Sequence, residues 1–440
     1  MVYSGASLLS GLFAILMPAT QGPTETVQAA FTALQHHDCP RLAALVDPGR
    51  LETFKQQQLA MLVSWAQKKD EIAAAERDGG EWSLASDDSV SAEAIAAVAS
   101  IRVPTLTGSP TMAELATDSP SAFFIRLCSV VYGKGDRDDP VRDISGLQRQ
   151  LIGQVLEGDT LAHVVYRRET RYVENEVLYS GLPGQPMVMS LRRPGQRWRL
   201  LLNDDIGWSP HFGILIPSRH RGDLGIGRIK RETSATPLPT LVVGMPPARR
   251  RPIEAVVAAF VAFERSDWDE LSVLVHPERA VAFQREQIGS LVAWHQMAEV
   301  RAQTARDRVA LMYSVNDSLS AEAIGPMADV KVPQFPGAPT IGELFADSPR
   351  AFFARWCAAA YRRDTSGAPS GVWSGKHRVI LGEVIESDAV AHVLYRSGIP
   401  YGETWRVDRM PVWRWEDDWR LMLNEDIGSG LLMSALLEEP

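Results

Sequence analysis

Apolar residues at helical spacing mark the first element of the chain. Val27, Ala30, Phe31 and Leu34 fall at i, i+3, i+4 and i+7, which predicts a helix with one buried stripe. Val256, Ala259, Phe260 and Phe263 repeat the pattern far downstream. A short second helix is predicted over 40–46. A third runs from Leu51 to Lys69, with Phe54, Leu59, Leu62 and Val63 inward. Thr111 and Glu114 have the spacing of a capping box, as do Thr340 and Glu343. Ser119–Pro120 and Ser348–Pro349 each set an N-cap before a proline at the first helical position. The helix after Pro120 carries Phe123, Phe124, Leu127, Cys128 and Val131 inward.

Beyond these helices the period changes to two. Runs 151–156 and 160–168 read as strands joined by the turn Glu157–Gly158–Asp159. Runs 187–192 and 198–203 make a second hairpin around Pro194–Gly195. The later part of the chain copies both hairpins, with the second turn at Glu416–Asp417–Asp418. Helices first and an antiparallel sheet second predict an α+β lobe, here with about four strands.

The copying is extensive. AHVVYR (162–167) returns as AHVLYR (391–396), a displacement of 229 residues from His163 to His392. At the same displacement DSVSAEAI (88–95) meets DSLSAEAI (317–324), DSPSAFF (118–124) meets DSPRAFF (347–353), and Cys128 meets Cys357. WRLLLNDDIG (198–207) meets WRLMLNEDIG (419–428) at 221, so the second copy is eight residues shorter between its strands. Two copies of this length indicate tandem duplication and not a solenoid, whose repeats are far shorter. The lobes are expected at 23–208 and 252–440. Residues 209–251 have no counterpart, are rich in Pro and Gly, and carry eight Lys or Arg against Asp223 and Glu232. They read as a basic linker lying across acidic lobes.

The order of elements, the strand motif G-x-V-x-x-x-D-x-x-A-H-V-x-Y-R and the Trp-Arg-Leu start of the last strand together resemble the NTF2-like (SnoaL-like, cystatin-like) α+β family. The stretch 70–115 is longer than the connection usual there. The resemblance implies a bent sheet wrapped around helices to leave a cup, and pairing through the outer sheet face. Two such lobes in one chain would form an intrachain pseudo-dimer.

Composition agrees with two globular cores: 440 residues, 45% hydrophobic and 22% charged. A net charge of −9 argues against nucleic acid or an anionic membrane as the main partner. The apolar stretch from Ala6 to Met17 is twelve residues, against the about 20 a spanning helix needs. It has the length of a signal-peptide core but no preceding Lys or Arg, so 1–22 reads as a signal peptide or an apolar arm. The balance leans to export, with the cytoplasm as the alternative. Cys39, Cys128 and Cys357 form no CxxC pair, which removes zinc and thioredoxin-like chemistry. Cys128 and Cys357 sit in apolar helical runs and read as small buried hydrophobes.

Candidate chemistry centres on the repeated hexapeptide. On a strand, Tyr166 points to one face while His163 and Arg167 point to the other. Tyr395 is divided from His392 and Arg396 in the same way. The bland reading is a hydrogen-bonded interface histidine. The sharper reading places Tyr166 and Tyr395 on a cup wall, joined by His163 and His392 if the strand bulges. Trp198 and Trp419 read as core or cup wall. Asn203–Asp204–Asp205 and Asn424–Glu425–Asp426 end strands and read as turns. Asp88–Ser89 and Asp317–Ser318 read as helix caps. Gly222–Gly227 is not a dinucleotide loop, and Arg221–Gly222–Asp223 is a chance tripeptide without context. No metal or cofactor set is spelled out. Three functions follow: a non-enzymatic module binding a small molecule or a protein, favoured here; an acid–base isomerase or dehydratase on a small hydrophobic molecule, which the resemblance allows; or a purely structural interaction protein.

Overall fold

A computed structural model describes residues 21–77, 90–132, 147–174, 177–203, 206, 250–296, 324–361, 377–398, 406–424 and 427. Most of the linker, Asp204–Asp205, Glu425–Asp426, Asp88–Ser89 and Asp317–Ser318 lie outside those residues, as do the expectations placed on them.

Lobe 1 begins with α1 (Pro23–Gln35), α2 (Cys39–Leu45) and α3 (Pro48–Arg77). Then come α4 (Ala92–Ala97), α5 (Met112–Thr117) and α6 (Pro120–Val131). Its sheet is β1 (Arg149–Glu157), β2 (Leu161–Glu174), β3 (Val177–Arg192) and β4 (Arg199–Leu200), antiparallel in that order. Lobe 2 has α7 (Pro252–Arg265), α8 (Trp268–Leu274), α9 (Pro277–Gln296), a 3-10 turn at Gly325–Met327, α10 (Ile341–Ala346) and α11 (Pro349–Ala360). Its sheet is β5 (His377–Ser387), β6 (Val390–Gly398), β7 (Arg406–Trp415) and β8 (Asp418–Leu421), in the same order. The fold is α+β, with helices before sheet in each lobe.

Local chemistry explains the helix starts. Both capping boxes form: Thr111 and Glu114 bond each other's backbone N–H, and Thr340 and Glu343 do the same. Ser119 and Ser348 cap α6 and α11 ahead of their prolines. At α4 the cap is Ser91, whose hydroxyl accepts from Ala94 N–H. After α2 and α8 the chain adds a parallel bridge to the sheet edge, Val46 to Leu200 and Val275 to Leu421.

Each lobe has its own apolar core. In lobe 1 it joins Phe31, Leu34, Phe54, Phe123 and Phe124 to the sheet residues Val164, Tyr166 and Met189. In lobe 2 Phe260, Phe283, Phe352, Phe353 and Trp356 meet Val393, Tyr395 and Met410. Two elements exceed their sequence limits. α3 continues to Arg77, and the β2–β3 hairpin runs on through pairs such as Tyr172 with Tyr179. Pro183 and Pro186 in β3 argue for a loop there, but register shifts next to their pairing partners absorb them.

Cys128 is buried, as expected of a small hydrophobe, but it is not simply that: it is covalently paired. Cys39 and Cys128 form a disulfide, with Cα atoms 5.8 Å apart, tying α2 to α6. In lobe 2 the repeat puts Trp268 where lobe 1 has Cys39. Trp268 stacks on Tyr361 at 5.7 Å and meets Phe263 edge-on at 5.6 Å. Cys357 is a buried free thiol, its pKa pushed well up by desolvation.

Candidate functional site

The repeated hexapeptides lie on the second strand of each sheet, and the pleat divides their side chains. Tyr166 turns inward. It is fully buried, 4.9 Å from the Phe31 ring, and its hydroxyl accepts from Asn203 Nδ2 at 3.0 Å. Asn203 Nδ2 also donates to the Val188 carbonyl, and Asn203 Oδ1 accepts from Ile206 N–H. Tyr395, Phe260, Asn424, Arg409 and Ile427 repeat the arrangement, with an Asn424–Tyr395 distance of 2.7 Å. Both tyrosines are therefore satisfied inside the helix-facing core. The asparagine that opens each Asn-Asp/Glu-Asp triplet is the tyrosine's partner.

His163, Arg167, His392 and Arg396 turn outward, and there the two sheets meet. β1 lies against β5 through a small apolar centre of Val155, Val165, Val384 and Leu394. The approach is close because glycines face valines across the seam. A Cβ on Gly153 would stand 2.5 Å from Val384 Cγ1, and one on Gly382 would stand 2.8 Å from Val155 Cγ1. Both glycines follow a bulge, at Ile152 and at Leu381, which sets the edge strand's register. The G-x-V of the repeated motif is thus a reciprocal fit.

Two ion-pair clusters flank this centre. Arg167 Nη2 donates to both oxygens of Glu386, at 2.8 and 2.9 Å. Arg396 Nη2 donates to both oxygens of Glu157, at 2.7 and 2.6 Å. Each glutamate also holds the histidine of its own lobe. His163 Nε2 is 3.2 Å from Glu157, and His392 Nε2 is 2.7 Å from Glu386. Both histidines are about 1% exposed. Burial lowers their pKa values, only partly offset by their glutamates. Burial alone would raise Glu386, but the His392 and Arg167 hydrogen bonds outweigh it and leave the carboxyl below its ordinary value.

The groups that contact the histidines' other nitrogen differ between the lobes. His163 Nδ1 meets Ser190 Oγ at 2.9 Å. Pro411 occupies the matching position beside His392. Instead, Arg409 Nη1 donates to His392 Nδ1 at 3.4 Å, from the position that Val188 holds in lobe 1. Burial lowers the Arg409 pKa to about 10, so it stays charged at neutral pH. A second divergence lies at the sheet edge. Lobe 1 pairs Asp47 with Arg192 at 2.7 Å. Lobe 2 replaces them with His276, edge-on to Trp413 and Trp415 at 6.0 and 5.1 Å.

The structure therefore keeps Tyr166 from His163 and Tyr395 from His392, one on each side of a sheet. It joins each histidine to a carboxylate and, through that carboxylate, to an arginine of the other lobe. The alternation of the strand foretold the division. The partners are not legible in the local sequence: Glu157 sits at a predicted turn, and nothing local marks Ser190 or Arg409. One signal was available, since Glu157 and Glu386 each precede their histidine by six residues. Among the described residues, no group of three or more His, Cys, Asp or Glu is placed to hold a metal, and no helix is long and apolar enough to cross a membrane.

No family model matches the chain, and no curated protein does. The crystal structure of a cystatin-like protein from Ruminococcus gnavus aligns over 91% of this chain and 87% of that one, at 11% identity and a TM-score of 0.17.

Proposed function

We propose that the chain is a tandem duplication of an NTF2-like domain acting as a non-enzymatic binding module for a small molecule or a protein, with no nucleic acid among its partners. Its units are lobes at 23–208 and 252–440, paired as an intrachain pseudo-dimer, and a linker at 209–251. Residues 1–22 would be a signal peptide or apolar arm. One observation carries the reading: Tyr166 and Tyr395 are fully buried and hydrogen-bonded in the cores, while His163 and His392 are bound into the seam. Groups so occupied are supports, whereas an acid–base catalyst needs its groups converging on one substrate. The repeat itself and the mirrored order of elements support the duplication. The Cys39–Cys128 disulfide supports export, since such bonds persist in oxidising compartments.

The test is ligand retention and fate. The full chain, purified without denaturation, is extracted and its bound small molecules are read by mass spectrometry. In parallel it is titrated with a panel of small hydrophobic carbonyl compounds. The reading expects binding without chemical change. Turnover of any compound that Tyr166→Phe or Tyr395→Phe abolishes would replace it with the isomerase or dehydratase reading.

A further inference from the structure

The two seam histidines have the same position in the repeat, an equivalent glutamate and nearly the same burial, yet different partners on Nδ1. Arg409 has only donors, so the His392 nitrogen it faces, Nδ1, must present a lone pair. The other nitrogen, Nε2, then carries the hydrogen and donates it to Glu386. His392 is thereby fixed as one neutral tautomer. A second proton on Nδ1 would point at the Arg409 guanidinium, with Arg167 a further nearby cation. His163 is not so restricted. Ser190 Oγ can donate to Nδ1 or accept from it. The imidazolium of His163 would keep both bonds, one to Ser190 and one to Glu157, with Arg396 as the facing cation.

We propose that the seam is an acid-sensitive joint in which His392 is the switch and His163 its proton-tolerant counterpart. Groups facing the switch come from every strand around it: Glu386 on β5, Arg409 on β7 and Arg167 on β2 of the other lobe. Only Glu386 is an anion, and it already serves Arg167. Protonation of His392 therefore breaks its bond to Arg409 and sets three cations around one carboxylate. The contact relieved most simply is the one between lobes, Arg167 with Glu386. Residues 209–251 join the lobes, so opening stays within one chain.

The sign follows from linkage. Burial holds His392 below its ordinary value in the closed form, so opening takes up a proton. The closed seam has its full stability above about pH 6.5, the ordinary histidine value, and loses it as pH falls through the lowered one. One proton shifts the closed-to-open ratio by up to about tenfold per pH unit.

The experiment follows the radius of gyration of the full chain by small-angle scattering from pH 7.5 to 4.5, with histidine NMR signals assigned through His163→Gln and His392→Gln. Glutamine cannot titrate but can still donate to Glu386 and accept from Arg409. The native chain is expected to expand below pH 6.5, with the His392 signal titrating as expansion proceeds. His392→Gln should stay compact to pH 4.5, where carboxylates begin to protonate. His163→Gln removes the other buried, lowered histidine, so it should still expand on acidification but with a shallower pH dependence than the native chain. Arg409→Leu, which leaves His392 free to accept a proton, should move the expansion to lower pH. A native chain that stays compact to pH 4.5, or a His392→Gln chain that expands at the native pH, would overturn the proposal.

Discussion

The most direct test of the seam is to fill one of its glycines. Gly153→Ala adds a Cβ 2.5 Å from Val384 Cγ1, and that valine is only 5% exposed. Carbon atoms prefer about 3.5–4.0 Å, so the overlap is about 1 Å. Val384 is β-branched and has little rotamer freedom with which to retreat. Overpacking of this kind costs about 1–3 kcal/mol. Against it stands the lower chain entropy of alanine when unfolded, worth about 0.4–1 kcal/mol. Gly153 does not have a positive φ, so no backbone strain enters. The net expectation is a loss of about 1–2 kcal/mol for Gly153→Ala, and a smaller one for Gly382→Ala, whose nearest contact is 2.8 Å. The assay is equilibrium urea denaturation of the full chain, followed by circular dichroism and tryptophan fluorescence, with as many transitions as the two probes require. A double-mutant cycle supplies the control. In a Val384→Ala background the overlapping methyl is gone, and Gly153→Ala should then be neutral or stabilising. If Gly153→Ala stabilises the native chain, or is equally harmful in both backgrounds, the close packing of the sheets is not what holds that glycine.

Three further outcomes are expected. Glu386→Gln removes the charge that both His392 and Arg167 bond, and should cost about 1–3 kcal/mol in the same denaturation assay, reduced little by added salt because the pair is mostly buried. Tyr166→Phe deletes the hydroxyl that Asn203 donates to while leaving the Asn203 bond to the Val188 carbonyl, so the loss should be only about 0.5–1.5 kcal/mol; unchanged stability would show the bond is not formed. Removing the disulfide with Cys39→Ala and Cys128→Ala frees a separation of 89 residues, worth up to about 4–5 kcal/mol on chain-entropy grounds. Calorimetry with and without reductant should place that loss in lobe 1, and a lobe 2 transition that moves equally would contradict the assignment.

Local and periodic features were legible in the sequence. The capping boxes at Thr111 and Thr340, the stripe at Val27–Leu34 and the opposed faces of His163 and Tyr166 all depend on neighbours a few residues apart. The repeat revealed the two lobes because WRLLLNDDIG and AHVVYR need no structure to be compared. What escaped depends on distant pairing. The β2–β3 hairpin extends through segments with Gly and Pro because pairing outweighs local preference. The disulfide joins residues 89 apart, and spacing alone gave no reason to choose Cys39 for Cys128. Glu157 looked like a turn residue because its partner, Arg396, is 239 positions away.

Val188 and Arg409 occupy one position of the repeat and differ in size and charge. In an assembly of two identical chains such a difference cannot arise. Any change at that position would appear on both sides of the twofold axis, and an arginine there would bring a second arginine with it. Carrying both halves on one strand of peptide lifts that restriction. One face of the joint can then acquire a charge while the other stays apolar, and the two halves become distinguishable to whatever approaches them.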